Sequence, residues 1–169
     1  MTTICEATSP DQLDEVRKLM RALIEWHRER HRLELNLVDL YFDPVSFEAE
    51  LNNLPGKFSR PKGRLLLAHH GGRPAGCVAL RELAAGACEM KRMFVYRDYH
   101  GKGIGRALAG KIIKDAKEIG YTVMRLDTGI RQIEAQTLYQ SVGFRTIPPY
   151  CDLPNGLATW LVFMELDLK

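Results

Sequence analysis

Residues 64–128 leave few folds open. Three strand-like runs follow one another with only turns between them: RLLLAHH (Arg64–His70), AGCVALREL (Ala75–Leu83) and CEMKRMFV (Cys88–Val95). Gly71-Gly72 and the small residues Ala84–Ala87 supply the turns. Adjacent strands joined so tightly predict an antiparallel meander. The period then changes. Gly103–Ile119 carries Ile104, Leu108, Ile112 and Ile113 at helical spacing, Gly120 ends the helix, and YTVMRLDT (Tyr121–Thr128) is a strand again. A strand, a helix and a strand within one sheet favour parallel pairing through a right-handed crossover. The chain is therefore predicted to be α/β with a mixed sheet.

The flanks fit that sheet. Thr3–Ala7 reads as a short first strand. Ser9 as N-cap and Pro10 at the first helical position then open a helix whose apolar face runs Leu13, Val16, Met20, Leu23, Ile24 and His27. Asp43-Pro44 starts another, with Phe47 and Leu51 on one side. Gln132–Val142 reads as a helix closed by Gly143, and Phe144–Ile147 and Leu157–Leu168 read as late strands. With no repeat, linker or low-complexity segment, residues 1–169 are expected to form a single domain.

The stretch HGKGIGRALAG (His100–Gly110) places Gly101, Gly103 and Gly105 at alternate positions between a strand and a helix. Glycine near a helix costs backbone entropy, so three of them need a reason. A helix N-terminus offers unpaired N–H donors to an anion, and side chains would keep the anion away. A dinucleotide-binding G-x-G-x-x-G fails here, because Arg106 holds the last glycine position, and the P-loop spacing is absent.

The third candidate is a coenzyme A pyrophosphate loop. His100-Gly101-Lys102-Gly103-Ile104-Gly105, the preceding EMKRMFV and the later AQTLYQSVGF together resemble the GNAT superfamily of acyl-CoA N-acyltransferases, over most of the chain. The family's loop usually begins with Arg or Gln, where this chain has His100. The resemblance implies a mixed sheet with helices on both faces, in which the meander precedes a strand–helix–strand coenzyme-binding unit. It implies that His100, Gly101, Lys102, Gly103, Ile104, Gly105 and Arg106 hold the pyrophosphate. The backbone of Met93, Phe94 and Val95 pairs with the pantetheine arm, and Gln132, where Asn is common, hydrogen-bonds the coenzyme. Lys111 is a further candidate for phosphate, set against a solvated helix face.

The same resemblance implies chemistry: acetyl-CoA as co-substrate, and direct attack by a primary amine without a covalent enzyme intermediate. Glu89 matches the position of a glutamate that accepts the amine's proton. Tyr139, in the L-Y-x-x-x-G-F match, would protonate the departing thiolate, a role that suits a neutral phenol. The alternative for Glu89 is an ion-paired strand residue, and for Tyr139 a core ring. Arg28, Arg30, His31, Arg32, Tyr41 and Tyr150 fall in segments that line the acceptor site in the family, and arginines there favour a carboxylate-bearing amine. Two other readings stay open: a protein or peptide N-acetyltransferase, and an acyl-CoA-binding sensor without turnover.

Composition narrows the setting. Lys and Arg exceed Asp and Glu by 24 to 21, a charge of +3, too mild to point to nucleic acid. Cys5, Cys77, Cys88 and Cys151 form no CxxC pair, and three lie in apolar runs, as in a reducing compartment. His27 and His31 are spaced i, i+4, but Arg28 replaces the glutamate of HExxH, so they read as a solvated helix end and no metal is expected. MTTICEATSP has no signal-peptide pattern and no run approaches a membrane span. The expected location is cytoplasmic, without membrane or nucleic-acid partners. The expected partner is a small-molecule amine, with a homodimer as an option.

Overall fold

The computed structural model describes residues 1–169. Strands β1 (Thr2–Glu6), β2 (Arg64–His70), β3 (Arg73–Ala84), β4 (Ala87–Val95), β5 (Val123–Gly129), β6 (Arg145–Ile147) and β7 (Leu161–Asp167) form one sheet in the order β1-β2-β3-β4-β5-β7-β6. Only β4 and β5 run parallel; every other pair is antiparallel. The predicted meander and crossover are both present, with strand ends shifted by one or two residues.

Both faces of the sheet are covered. Leu65 and Leu67 of β2 point into a core with helices α1 (Pro10–Arg30), α2 (Leu35–Tyr41) and α3 (Pro44–Asn52), whereas Leu66 and Ala68 point into a second core under α4 (Ile104–Ile119) and α5 (Ile133–Ser141). Burial on both sides explains why β2 reads as an unbroken apolar run rather than an alternation. Helix α1 starts as its sequence predicts. The Ser9 hydroxyl accepts from Gln12 N, the Gln12 side chain accepts from Ser9 N, and Pro10 occupies the first turn.

Four features differ from expectation. Helix α2 has no side-chain cap at Glu34 and spans seven residues, too short to stand without tertiary packing; Val38 buried in the core holds it. Leu157–Trp160 forms a helical turn (α6) before β7 begins at Leu161, because Leu157 and Trp160 plug the α1-side core. His27 and His31 are not a solvated helix end: both are buried, stacked on each other with ring centroids 5.7 Å apart. They continue the apolar stripe of α1 instead of ending it.

The fourth is a β-bulge in β4. Lys91 pairs with Ala79 and Phe94 with Cys77, so Arg92 and Met93 together face only Val78. Arg92 takes φ 58, the left-handed region, which costs a side chain on the order of 1–3 kcal/mol. Its guanidinium is fixed 2.8 Å from Glu50 and lies over the rings of Phe42 and Phe47.

Candidate active site

The parallel pairing of β4 and β5 lasts three rungs: Ala87 with Val123, Cys88 with Met124, and Glu89 with Arg125. Beyond Glu89 the strands diverge. The bulge at Arg92 accompanies that divergence, since an extra residue bends and twists a strand. The wedge between the strands opens into three connected spaces.

The first is a groove of about 570 Å³, lined by the end of β4, the glycine loop, the start of α4 and one side of α5. Gly101 and Gly103 both take φ 76, with nothing within 4 Å of where a Cβ would stand. Gly105 has less room: a Cβ there would meet Leu138 Cδ2 at 3.2 Å. Gly103 is the N-cap of α4 and gives it no side-chain hydrogen bond, so the first-turn N–H groups are left for another acceptor. Arg97 and Arg106 also line the groove, with Arg30 paired there to Glu134. An anion entering there meets open donors and positive charge.

The second space is an inner cavity of about 60 Å³ between the splayed strands; it shares Trp26, Met93 and Ala135 with the groove. Tyr139, Lys91 and Asp127 wall it. The third is an outer pocket of about 470 Å³ beside α3, which shares Tyr41, Phe42 and Arg92 with the inner cavity and also exposes Lys57 and Glu50. Groove, cavity and pocket thus run in series.

Two phenol–carboxylate pairs stand on or beside β4 and β5: Tyr41 and Asp127 line the inner cavity, whereas Tyr150 and Glu89 line none of the three spaces. Tyr150 donates to Glu89 Oε2 at 2.7 Å, and Tyr41 donates to Asp127. Glu89 is 3% exposed, and Arg81 Nε bonds it at 2.8 Å. Burial alone would raise its pKa, but Lys91, the Tyr150 hydroxyl and Arg81 together hold it below the usual carboxylate range. The carboxylate is therefore ionised at neutral pH. Burial raises the pKa values of Tyr41, Tyr139 and Tyr150, so all three keep their protons.

An acetyltransferase (GNAT) family model matches residues 35–144, a span that includes β4, the loop, α4 and Tyr139. An uncharacterized N-acetyltransferase of Schizosaccharomyces pombe is 33% identical over 95% of this chain and 91% of its own length. The IAA acetyltransferase of Azospirillum brasilense is 33% identical over 80% of this chain and 86% of its length. The crystal structure of the PaiA N-acetyltransferase of Thermoplasma acidophilum in complex with coenzyme A is 19% identical, superposes with a TM-score of 0.75 and covers 99% of both chains.

The chain belongs to the GNAT family of acetyltransferases.

Within this acetyltransferase, most of the residues singled out from sequence come together. Met93, Phe94, Val95, His100, Gly101, Gly103, Ile104, Gly105 and Arg106 all line the one groove. Two do not. Lys102 is exposed, its Nζ over the Tyr99 ring at 5.7 Å, outside the groove lining. Gln132 turns inward: its oxygen accepts from Gly129 N and Thr128 Oγ1, and its Nε2 lies 2.7 Å from His27 Nδ1. Its hydrogen-bonding capacity is used within the protein, at the wall of the inner cavity. His100 lines the groove, but its Nε2 donates to the Val95 carbonyl at 2.8 Å, tying the loop to the end of β4.

Lys111 pairs with Asp115 on its own helix. Arg28 and Arg30 are paired with Asp39 and Glu134. The cations that line the outer pocket are Arg92 and Lys57, and both are bonded to Glu50 there. Asp127, Lys91 and Arg92 went unremarked in the sequence as parts of a site. The available signal was charge inside strands that otherwise read as buried. No helix is long and apolar enough to cross a membrane.

Proposed function

We propose that residues 1–169 form one N-acetyltransferase domain that moves the acetyl group of acetyl-CoA to the primary amine of a small molecule. The observation that carries this reading is the uncapped start of α4 at the mouth of a groove that leads, between parted strands, to a small buried cavity. The glycine loop and Arg106 hold the pyrophosphate, and the edge of β4 at Met93–Val95 aligns the pantetheine arm. When bound, the coenzyme supplies an activated thioester. An inner cavity of about 60 Å³ suits an acetyl group better than a long acyl chain.

The amine enters from the outer pocket. Glu89 takes its proton through Tyr150, since the carboxylate is ionised and the phenol already bonds it. Tyr139 gives its proton to the departing thiolate; burial holds that proton on the phenol until it is needed. Arg92 and Lys57 are both bonded to Glu50 and Asp43 lines the same pocket, so its charges balance and the carboxylate-bearing acceptor rests on the family resemblance rather than on free cations. This reading takes a small soluble partner and a cytoplasmic location.

The test is turnover of acetyl-CoA with a broad panel of amines, amino acids included, read as free thiol. The panel should contain IAA, named for the Azospirillum relative. Thiol release with a small amine supports the reading. Tight acetyl-CoA binding without thiol release from any amine or peptide would make the protein an acyl-CoA sensor.

A further inference from the structure

One group in the inner cavity makes and breaks no bond in that transfer and serves it only by helping to keep Glu89 ionised. Lys91 extends from β4 into the cavity wall, its side chain 15% exposed, with Nζ 3.6 Å from Glu89 and 3.3 Å from the Tyr41 hydroxyl. Tyr41, from α2, donates its own proton to Asp127 on β5. Ammonium, phenol and carboxylate thus stand in line. A proton leaving Nζ passes to the phenol oxygen while the phenol's proton passes to Asp127. Burial lowers the Lys91 pKa, and the neighbouring Arg92 and Lys57 lower it further, against the pull of Asp127 and Glu89.

We infer that Lys91 is itself an acyl acceptor, and that the protein acetylates its own Lys91 when no amine occupies the inner cavity. The inference rests on the proposed coenzyme groove, whose inner end shares Trp26, Met93 and Ala135 with the cavity that Lys91 walls. In the step, the lone pair of neutral Nζ forms a C–N bond to the thioester carbonyl carbon. The C–S bond breaks with its electron pair on sulfur. One Nζ proton has gone to Asp127 through Tyr41, and a second ends on the sulfur, giving amide and free thiol. The amide has no charge, so the pairing with Glu89 is lost and the acetyl group stays in the chamber the acceptor needs. Self-acetylation then lowers later turnover.

The experiment incubates the full chain with acetyl-CoA and no amine, then maps lysine acetylation by mass spectrometry, with loss of tryptic cleavage at Lys91 as a second readout. Coenzyme binding is measured on the same sample by calorimetry. Lys91 should be acetylated about tenfold faster, or more, than any exposed lysine, and Tyr41→Phe or Asp127→Asn should slow it by about the same factor. Two relay variants guard against misfolding of one. At acetyl-CoA below saturation, Gly103→Asp should slow the modification by about tenfold or more, in step with its weaker coenzyme binding. Equal rates at Lys91 in the native and urea-unfolded chain, or in Gly103→Asp, overturn the inference. Binding of acetyl-CoA with Lys91 unmodified overturns it while leaving the proposed function standing. Absence of binding removes both.

Discussion

Tyr150, in the loop after β6, bonds the carboxylate of Glu89, the last residue that β4 shares with β5 before the strands part. Neither residue lines the chamber itself; the wall residue next to the carboxylate is Lys91, 3.6 Å from it. Glu89→Gln removes the proton acceptor and keeps the shape. It is expected to lower kcat by about 10²-fold or more, most at acidic pH, where more of the amine is protonated. Coenzyme affinity should be nearly unchanged. Steady-state rates across pH, with calorimetry alongside, check this; a pH–rate profile identical to the parent's would rule the role out.

Gly103 sits at φ 76 with open space in front of it. Asp and Asn tolerate this backbone region better than most residues. Gly103→Asp should therefore fold, while its carboxylate repels the phosphates. Acetyl-CoA affinity is expected to fall by about tenfold or more, a loss of roughly 1.4 kcal/mol or greater. Gly103→Asn, of the same shape without the charge, should lose less. Equal losses in both variants would assign the effect to bulk rather than charge.

Tyr139 packs edge-on against Phe144, with ring centroids 5.8 Å apart, and walls the inner cavity. Tyr139→Phe keeps that packing and removes one hydroxyl. Turnover with acetyl-CoA should drop by about one to three decades. The drop should shrink with an acyl donor whose thiol leaves more readily. Wild-type turnover in Tyr139→Phe would leave the tyrosine as a core residue alone.

His27 is buried and neutral; burial, with the charges of His31 and Arg92, lowers its pKa from 6.5 to about 3. The unfolded chain binds a proton below pH 6.5 that the folded chain refuses until about pH 3. Stability should thus be full above that window and fall as pH drops through it, by up to about 1.4 kcal/mol per pH unit from this group. Urea unfolding at several pH values, compared between the parent and His27→Gln, measures the term. The variant's curve should be flatter, and parallel curves would show that His27 is not responsible.

Local signals carried much of the architecture. The Ser9 N-cap followed by Pro10, the paired turn glycines and the alternate glycines before α4 each fix a backbone conformation within a few residues, so they could be read in order. The groove was legible for the same reason: its wall is largely one continuous stretch from Met93 to Arg106. What stayed hidden depends on distant partners. Tyr41 and Asp127 are 86 positions apart, and nothing near either announces the other. His27 and His31 lie among Arg28, Glu29 and Arg30, whose charges mask an i, i+4 continuation of the apolar stripe. Gln132 stands at a position expected to face the coenzyme, yet a buried histidine from α1 draws its side chain inward.

The outer pocket and the coenzyme groove have no residue in common; they touch only through the inner cavity. One is walled mainly by α3, the residues just before it and the turn at Pro55–Lys57, the other by β4, the glycine loop, α5 and the end of α1. On the proposed reading, the exposed Ser46, Ala49, Asn53 and Lys57 can vary and change which amine is admitted, while the donor half of the protein keeps its shape. The narrow chamber between the halves is the part that must satisfy both, and substitutions there should be the least tolerated in any library screened for a new acceptor.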